Sequence, residues 1–322
     1  MARRPSAAFP VQAERTNLYR EITDRIVAQL EMGCVPWVQP WSTGPGSTTI
    51  AMPCNAATCR AYSGINVMLL WAAGINAGYP TQRWLTFRQA LGLGGCVRKG
   101  ERGTPVVYAD RFTPQDERDR ADRDGGSARQ VAFLKRFTVF NVAQVNGLPM
   151  HLTAPPLPPR EDLIVPRFRA LIDVSGITIR IGGDMAFYRP ADDVVVLPPP
   201  EAFHDPINFH RTAAHELSHA TSHATRLNRE LKGPHGGTCY AREELVAEIS
   251  AAYVCASLGI VPTVRHADYI GSWLQVLRED ERAIVRAASH ASKAADWLLG
   301  RLPDADLPVS AEHGEGIAAE AA

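Results

Sequence analysis

The sequence has no long hydrophobic segment, no dense set of cysteines and no excess of either charge. Its longest apolar stretch, Val67 to Ile75, is much shorter than the roughly 20 residues that a membrane-spanning helix needs. No apolar run follows Arg3 and Arg4, so the N-terminus lacks the pattern of a secretory signal. We therefore expect a cytoplasmic protein with no membrane partner.

The cysteines are too scattered to predict a disulfide framework, and a chain of 322 residues does not need one. The six positions are Cys34, Cys54, Cys59, Cys96, Cys239 and Cys255. The closest pair, Cys54 and Cys59, has no second Cys or His pair nearby at the spacing of a zinc site. A cysteine zinc site is not expected.

The net charge is zero, but the charges are unevenly divided. Residues 1–150 contain 18 Lys and Arg against 11 Asp and Glu, whereas residues 151–322 contain 16 against 23. A proline-rich segment at 154–160 lies near the change of sign and reads as a stiff linker. The chain is long enough for two domains with their own cores, so we predict domains at 1–153 and 161–302 and a disordered tail at 303–322.

The expected fold class is α+β. In the first half, Asn17 can cap a helix that ends at Gly33, a second helix is expected from Gly64 to about Ala73, and 113–129 reads as a solvated loop. Strands are expected at 104–108 and 131–142. In the second half, a helix at 163–174 precedes an antiparallel meander at 177–181, 185–188 and 194–197. Helices should follow from Asp205, at 242–258 and at 267–299, the last one broken.

The helix that begins near Asp205 contains a metal-binding pattern. His215 and His219 are four residues apart, so both imidazoles project from one face of the helix and can hold one ion. Glu216 lies between them and is placed to accept a proton from water held by the ion. This arrangement predicts a Zn²⁺ site of the metallopeptidase type, with Glu216 as the catalytic residue. The alternative is an amphipathic helix with two ordinary histidines.

Zinc at a catalytic site needs a third protein ligand. His223 is two turns from His215 and points in another direction, so we favour Glu244, on a separate helix, as the ligand. Glu248, one turn further along that helix, would then orient a ligand histidine, although the two glutamates could exchange these roles. Glu243 is expected to face solvent. Tyr240 is expected near the site, either to stabilise an oxyanion or to pack.

The first half contains residues typical of single-stranded nucleic-acid binding, which needs cations for phosphates and aromatic faces for bases. The candidate contacts are Trp37, Trp41, Trp84, Arg98, Lys99, Arg102, Lys135 and Arg136. Arg98, Lys99 and Arg102 form a compact basic turn, and Lys135 and Arg136 add a second cluster. The alternative is that the tryptophans are buried in the core.

Several segments resemble ArdC-type antirestriction proteins. The stretch from His215 to Arg229, followed by 240–248 and by 269–274, is similar to the metallopeptidase domain of that family. Segments in the first half resemble the family's N-terminal domain, which binds single-stranded DNA: Pro36-Trp37 with Pro40-Trp41, Tyr62-Ser-Gly-Ile-Asn66, Trp84-Leu-Thr-Phe-Arg-Gln89, Val97-Arg-Lys-Gly-Glu101 and Phe137-Thr-Val-Phe-Asn-Val142. Ala220 departs from the family pattern, since many relatives have Trp after the second histidine.

The resemblance implies a basic α+β domain for single-stranded DNA and a zincin-like metallopeptidase domain. It also implies a protein of a mobile element, such as a conjugative plasmid, that shields incoming DNA from host restriction. Its metal positions fall on His215, His219 and Glu244, and its catalytic position on Glu216. A protein substrate is the expected partner of the peptidase site. Two alternatives remain open: a regulatory zinc protease that cleaves a repressor, and a non-catalytic protein with structural zinc that covers DNA.

Overall fold

The structure, a computed structural model, describes residues 17–38, 51–128, 131–154, 161–229, 237–262 and 269–303. Trp41, most of the predicted linker and the predicted tail lie outside these residues. The helices are α1 Leu18–Glu31, α2 Ile65–Ala77, α3 Phe87–Gly92, α4 Gln115–Asp124, α5 Met150–Thr153, α6 Glu161–Ser175, α7 Ile207–Ala220, α8 Thr238–Ser257, α9 Ile270–Glu279 and α10 Ala283–Leu299. The strands are β1 Cys54–Asn55, β2 Arg83–Thr86, β3 Cys96–Val97, β4 Thr104–Phe112, β5 Val131–Asn141, β6 Val145–Asn146, β7 Thr178–Ile181, β8 Phe187–Arg189 and β9 Val194–Leu197.

The fold class is α+β, as predicted, and local signals explain where several helices begin and end. Asn17 accepts a hydrogen bond from the backbone N–H of Tyr19 at 3.1 Å, and this cap starts α1. Gly33 follows the end of α1 with a φ of +74°, a conformation that favours glycine. The expected break in the last helical region falls at Asp280, between α9 and α10. Among the described helices, none is long and apolar enough to cross a membrane.

The first half is built on a four-stranded sheet in the order β1-β2-β5-β4. Its longest pairing joins β4 and β5, from Thr104 opposite Val139 to Phe112 opposite Val131. Helix α4 connects these two strands, where a solvated loop was predicted. Its side chains are not buried, but acidic residues in its first turn and Arg123 in its last turn favour a helix. The prediction of a loop was therefore wrong, since the backbone is helical, but the prediction that this segment is exposed to solvent was right.

The second half contains a three-stranded sheet in the order β7-β9-β8, with β7 parallel and β8 antiparallel to β9. The predicted antiparallel meander is therefore wrong in its connectivity, although β9 matches the predicted strand at 194–197. Because β9 is hydrogen-bonded to β7 on one side and to β8 on the other, its backbone is not available to pair with an added substrate strand. Within the described residues, β8 is an edge strand beside α7.

The largest hydrophobic cluster of the described residues contains side chains of both halves, and two smaller clusters lie within the first half. Trp37 packs edge-to-face on Trp273 of α9, with ring centroids 5.5 Å apart. At the start of α2, the backbone of Gly64 donates to Ser292 Oγ at 2.7 Å and accepts from the Tyr253 hydroxyl at 2.9 Å. Tyr253 lies on α8, which also packs against α7, α9 and α10. Helix α8 therefore connects the first half to the predicted metal site.

Candidate metal centre and nucleic-acid interface

Helices α7 and α8 carry the predicted metal site. Small residues allow the helices to approach closely, and Ser218 Oγ donates to Ser250 Oγ across the contact at 2.9 Å. From this contact α7 presents His215, Glu216 and His219, and α8 presents Glu243, Glu244 and Glu248. All six side chains except His219 are buried, and His219 is nearly so.

Three of these side chains, His215, His219 and Glu244, meet in what we call the ligand triangle, where the carboxylate of Glu244 presents one oxygen to each histidine. The Nε2 atoms of His215 and His219 are 3.1 Å apart. Glu244 Oε2 lies 3.5 Å from His215 Nε2, and Glu244 Oε1 lies 3.3 Å from His219 Nε2. Among the described residues, these three form the group that could hold a metal ion.

The size of the triangle fits a tetrahedral ion. Zinc binds histidine nitrogen and carboxylate oxygen at about 2.0–2.2 Å, so two ligand atoms of a tetrahedral site lie about 3.3–3.5 Å apart. The three distances match or come close to this edge. Three protein ligands leave a fourth position for water or substrate, which is the arrangement of catalytic zinc sites.

Electrostatics also favour a cation between the helices. Burial would raise the pKa of Glu244, but hydrogen bonds from His215 and His219 outweigh this effect and hold its pKa well below the usual range. Burial would lower the pKa of His219, but hydrogen bonds to Glu243 and Glu244 raise it to about 10, and the charge of Glu216 adds to the rise. A buried cluster with several carboxylates needs positive charge to compensate for lost solvation.

Two tyrosines border the cluster. The hydroxyl groups of Tyr240 and Tyr269 are 3.2 Å apart. Burial raises the pKa of Tyr240, as do hydrogen bonds with Tyr269 and Glu244, so this phenol stays protonated at neutral pH. Tyr240 therefore touches Glu244 from outside the triangle, as expected for a residue near the site. Tyr269 was not assigned a role from the sequence.

Three expectations about neighbouring residues can be compared with this geometry. Glu248 Oε1 lies 3.9 Å from Nδ1 of His215, on the side predicted for an orienting carboxylate. His223 lies outside the triangle, next to Thr225 and Asp193. Glu243, which we expected to face solvent, is only 7% exposed and bonds Arg229, so that prediction was wrong. Every residue of α8 from Glu243 to Ala256 is buried, so this part of the helix has no solvent face for Glu243.

The tryptophans predicted to stack on DNA bases are core residues. Trp37 is 1% exposed and Trp84 is 0% exposed, so neither ring offers a face to a base. Trp84 packs with Leu70, Val106 and Val139 on the face of the sheet that α2 covers. The base-stacking prediction is therefore corrected for both residues, because large aromatic rings stabilise a fold most when they are buried.

The predicted basic residues are exposed, but they do not form two clusters. Arg98, Lys99 and Arg102 lie together in the turn before β4, where Arg98 forms a salt bridge with Glu101 at 2.5 Å. Lys135 and Arg136 are neighbours on β5, so they point to opposite faces of the sheet. Lys135 lies over the ring of Phe137, whereas Arg136 forms an ion pair with Glu21 of α1.

Comparisons with known proteins agree with this two-part architecture. The sequence profile of the N-terminal domain of the anti-restriction factor ArdC matches residues 16–140, and the profile of a zincin-like metallopeptidase matches residues 166–290. The uncharacterized protein y4eC of Sinorhizobium fredii is 39% identical over 298 residues, which cover 90% of this chain and 94% of that protein. A DNA primase TraC of Escherichia coli is 38% identical over 86% of this chain, but the match covers only 19% of the primase.

Two solved structures have the same fold. Both are of the antirestriction protein ArdC from the R388 plasmid, one metal-free and one with Mn(II) bound. The metal-free structure has a TM-score of 0.73 at 38% identity and covers 88% of this chain and 97% of that one. The Mn(II)-bound structure has a TM-score of 0.72 at 37% identity and covers 88% and 98%.

Fold, site and profiles together define a two-part protein in which an ArdC-type N-terminal domain precedes a zincin-like domain with a candidate site for a divalent metal. The chain belongs to the family of ArdC antirestriction proteins.

Proposed function

We propose that this antirestriction protein holds single-stranded DNA with its N-terminal half and hydrolyses peptide bonds at a zinc site formed by His215, His219 and Glu244. The ligand triangle between α7 and α8 carries the catalytic part of the proposal, since its ligand atoms approach one another at 3.1, 3.3 and 3.5 Å, a spacing that suits one tetrahedral ion. Two nitrogens and one carboxylate oxygen suit Zn²⁺, although Mn²⁺ and Co²⁺ accept such ligands as well.

The residues around the triangle supply the other parts of a hydrolytic site. When bound, zinc would polarise the scissile carbonyl and lower the pKa of a coordinated water. Glu216 is buried beside His219, where its carboxylate would serve as the base for the attacking water and then as the proton donor to the leaving amine. Tyr240 is protonated at neutral pH and can donate to an oxyanion. The edge strand β8, beside α7, offers backbone groups that could align an extended peptide.

The substitution Glu216→Gln tests the catalytic part. It keeps the size of the side chain and removes the base, so cleavage of casein or of a fluorogenic peptide mixture should fall at least roughly 100-fold. Zinc content, measured by atomic absorption, should stay the same. Glu201→Gln, which changes an exposed carboxylate that is not one of the candidate ligands, is the matched control.

The same variant separates this proposal from its rivals. If Glu216→Gln retains full antirestriction activity in a conjugation assay, zinc is structural and the protein acts by covering DNA. If single-stranded DNA is required for cleavage and a defined repressor is the substrate, the regulatory-protease hypothesis is favoured instead.

For the DNA surface we propose the basic turn at 98–103 together with Phe87. The turn carries Lys99 and Arg102, for which the described residues provide no salt-bridge partner. Phe87 is 49% exposed and contacts Phe140 edge-to-face, with ring centroids 6.4 Å apart. Phe140 in turn lies against Gly103 at the end of the turn. Phe140 therefore connects the basic turn to an exposed aromatic ring, and binding of a single strand requires both kinds of group.

Fluorescence anisotropy of a labelled single strand with the full chain tests this surface. Phe87→Ala should weaken binding by the equivalent of roughly 1–3 kcal/mol, the usual value of one stacked base. Lys99→Ala should reduce the salt dependence by about 0.7 in the slope of log K against log salt, the value of one phosphate contact. Tyr108→Ala is the matched control, because Tyr108 is 61% exposed on the opposite face of the same sheet. Loss of binding in Tyr108→Ala but not in Phe87→Ala would place the DNA on the other face.

A further inference from the structure

Each candidate ligand histidine has a carboxylate behind it. Since the Nε2 atoms of His215 and His219 face each other at 3.1 Å, their Nδ1 atoms point away from the proposed ion. Helix α8 places Glu248 Oε1 3.9 Å from Nδ1 of His215 and Glu243 Oε1 3.6 Å from Nδ1 of His219. Glu244, which lies between them in sequence, faces both Nε2 atoms.

Arg229 holds the carboxylate of Glu243 at both oxygens. Its Nη2 donates to Oε1 at 2.7 Å and its Nε donates to Oε2 at 3.2 Å. Both side chains are less than 9% exposed, so water competes little with this bidentate pair. A buried carboxylate fixed in this way has little freedom to rotate.

Arg229 is itself attached to the end of the helix that carries the histidines. Its Nη1 donates to Thr221 Oγ1 at 2.7 Å, and its Nη2 donates to the backbone carbonyl of Ser218 at 2.8 Å. The guanidinium therefore joins the last turn of α7 to the first turns of α8. The positions of His219 and Glu243 are set by the same side chain.

We propose that Glu243, clamped by Arg229, is a positioning residue that accepts the Nδ1 proton of His219 and so presents Nε2 to the metal. The clamp has a second consequence, which concerns the choice between two adjacent glutamates. Because Glu243 is held by Arg229 against Nδ1 of His219, Glu244 is the one of the two adjacent glutamates whose oxygens face the Nε2 atoms. This inference rests on the proposed metal site, but it does not depend on peptide hydrolysis.

Zinc affinity of the full chain, measured by competition with a chromophoric chelator, tests the proposal. Glu243→Gln retains the size of the side chain but weakens the acceptor, and affinity should fall by roughly 10-fold or more, as is usual when a partner of a ligand histidine is removed. Arg229→Lys should also weaken binding, because a single ammonium group cannot hold both oxygens of Glu243. Asp280→Asn is the control: it breaks the ion pair with Arg242, the residue before Glu243, without touching a histidine.

A purely structural role for Glu243 would change stability but not the protonation of His219. We therefore add ¹⁵N spectra of the histidine side chains in the zinc-loaded chain. In the wild type the ring of His219 should carry its proton on Nδ1, and the signal of that proton should shift or exchange faster in Glu243→Gln. Unchanged zinc affinity together with an unchanged His219 spectrum would overturn the proposal.

The outcome also separates this inference from the proposed function. If the wild-type chain binds zinc tightly but cleaves no peptide, the proposed peptidase activity is wrong. The zinc affinities of the Glu243 and Arg229 variants would still test the role proposed for Glu243. A wild-type chain that binds neither zinc nor manganese overturns both.

Discussion

Replacing Trp37 tests whether this residue stabilises the core or contacts DNA. Its side chain is 1% exposed and packs edge-to-face on Trp273, which is itself fully buried. Truncation of a buried tryptophan to alanine costs about 3–5 kcal/mol. Because a domain's total stability is only about 5–15 kcal/mol, Trp37→Ala should lose a large part of it. Trp37→Phe keeps an aromatic ring at the contact and should lose less.

Urea denaturation followed by circular dichroism is the suitable assay, since removing a tryptophan alters the fluorescence signal. A double-mutant cycle of Trp37→Leu and Trp273→Leu, which removes the aromatic contact from either side, should give a coupling energy of about 0.5–1.5 kcal/mol, the range for a contacting aromatic pair. The folded Trp37→Phe variant should bind single-stranded DNA as the wild type does.

The result that would refute this reasoning is specific. If Trp37→Phe keeps the stability of the wild type but loses DNA affinity, the ring contacts a base and the buried position does not represent the binding-competent protein. The single-strand prediction for Trp37 would then be right after all.

Three further outcomes are expected. Chelation of the metal should lower the thermal midpoint, because a ligand of the folded state at 1,000 times its Kd contributes about 4.1 kcal/mol; no change would mean that no metal is bound. Burial acts to raise the pKa of Asp280, but hydrogen bonds and the charges of Arg242 and Arg286 lower it below 3.8 overall. The ionised Asp280 therefore stabilises the fold at neutral pH, and this stabilisation is lost as the pH falls below 3.8. The difference in urea midpoint between wild type and Asp280→Asn, both in chelator, should therefore be larger at pH 7 than at pH 3. In Gly103→Ala the new Cβ would lie 2.3 Å from Cγ2 of Thr138, so roughly 1–3 kcal/mol should be lost and partly regained with Thr138→Ser.

Residues of the candidate site that lie close together in the sequence could be predicted from the sequence alone. The spacing of His215 and His219 fixes their common face on α7 whatever surrounds the helix, and the structure brings Glu244 to the same point. Glu243 could not be placed from helix geometry alone, because the expectation of a solvent face assumed that α8 has one. The small and apolar residues along α8 carried the missing signal, since such a helix is buried on all sides.

Long-range features were harder to predict. Strand content suggested β7, β8 and β9, but only tertiary pairing shows that β7 is parallel to β9. Tryptophan is typical both of a base-stacking surface and of a hydrophobic core, so residue type alone does not distinguish these environments. Trp37 and Trp84 proved to be core residues. The role of Arg229 depends on a loop that follows α7 and folds back onto the last turn of that helix. No periodic sequence pattern predicts such a contact.

The shared core leads to a last prediction, about an isolated fragment of residues 1–154. In the full chain α1 buries Ile22, Ile26 and Leu30, and α1 packs against α9. Each fully buried side chain of this kind contributes roughly 1.5–3 kcal/mol. The fragment would expose this surface together with Trp37, and the total is comparable with the stability of a whole domain.

We therefore expect the fragment to lack a cooperative thermal transition, while the full chain unfolds in one transition seen by both far-UV and near-UV circular dichroism. A fragment that melts cooperatively near the midpoint of the full chain would contradict this expectation and show that the first half folds alone. If the expectation holds, DNA-binding variants have to be measured in the full chain. Variants at Gly64 or Tyr253 would then affect both halves, because Tyr253 lies on the same helix as Glu244.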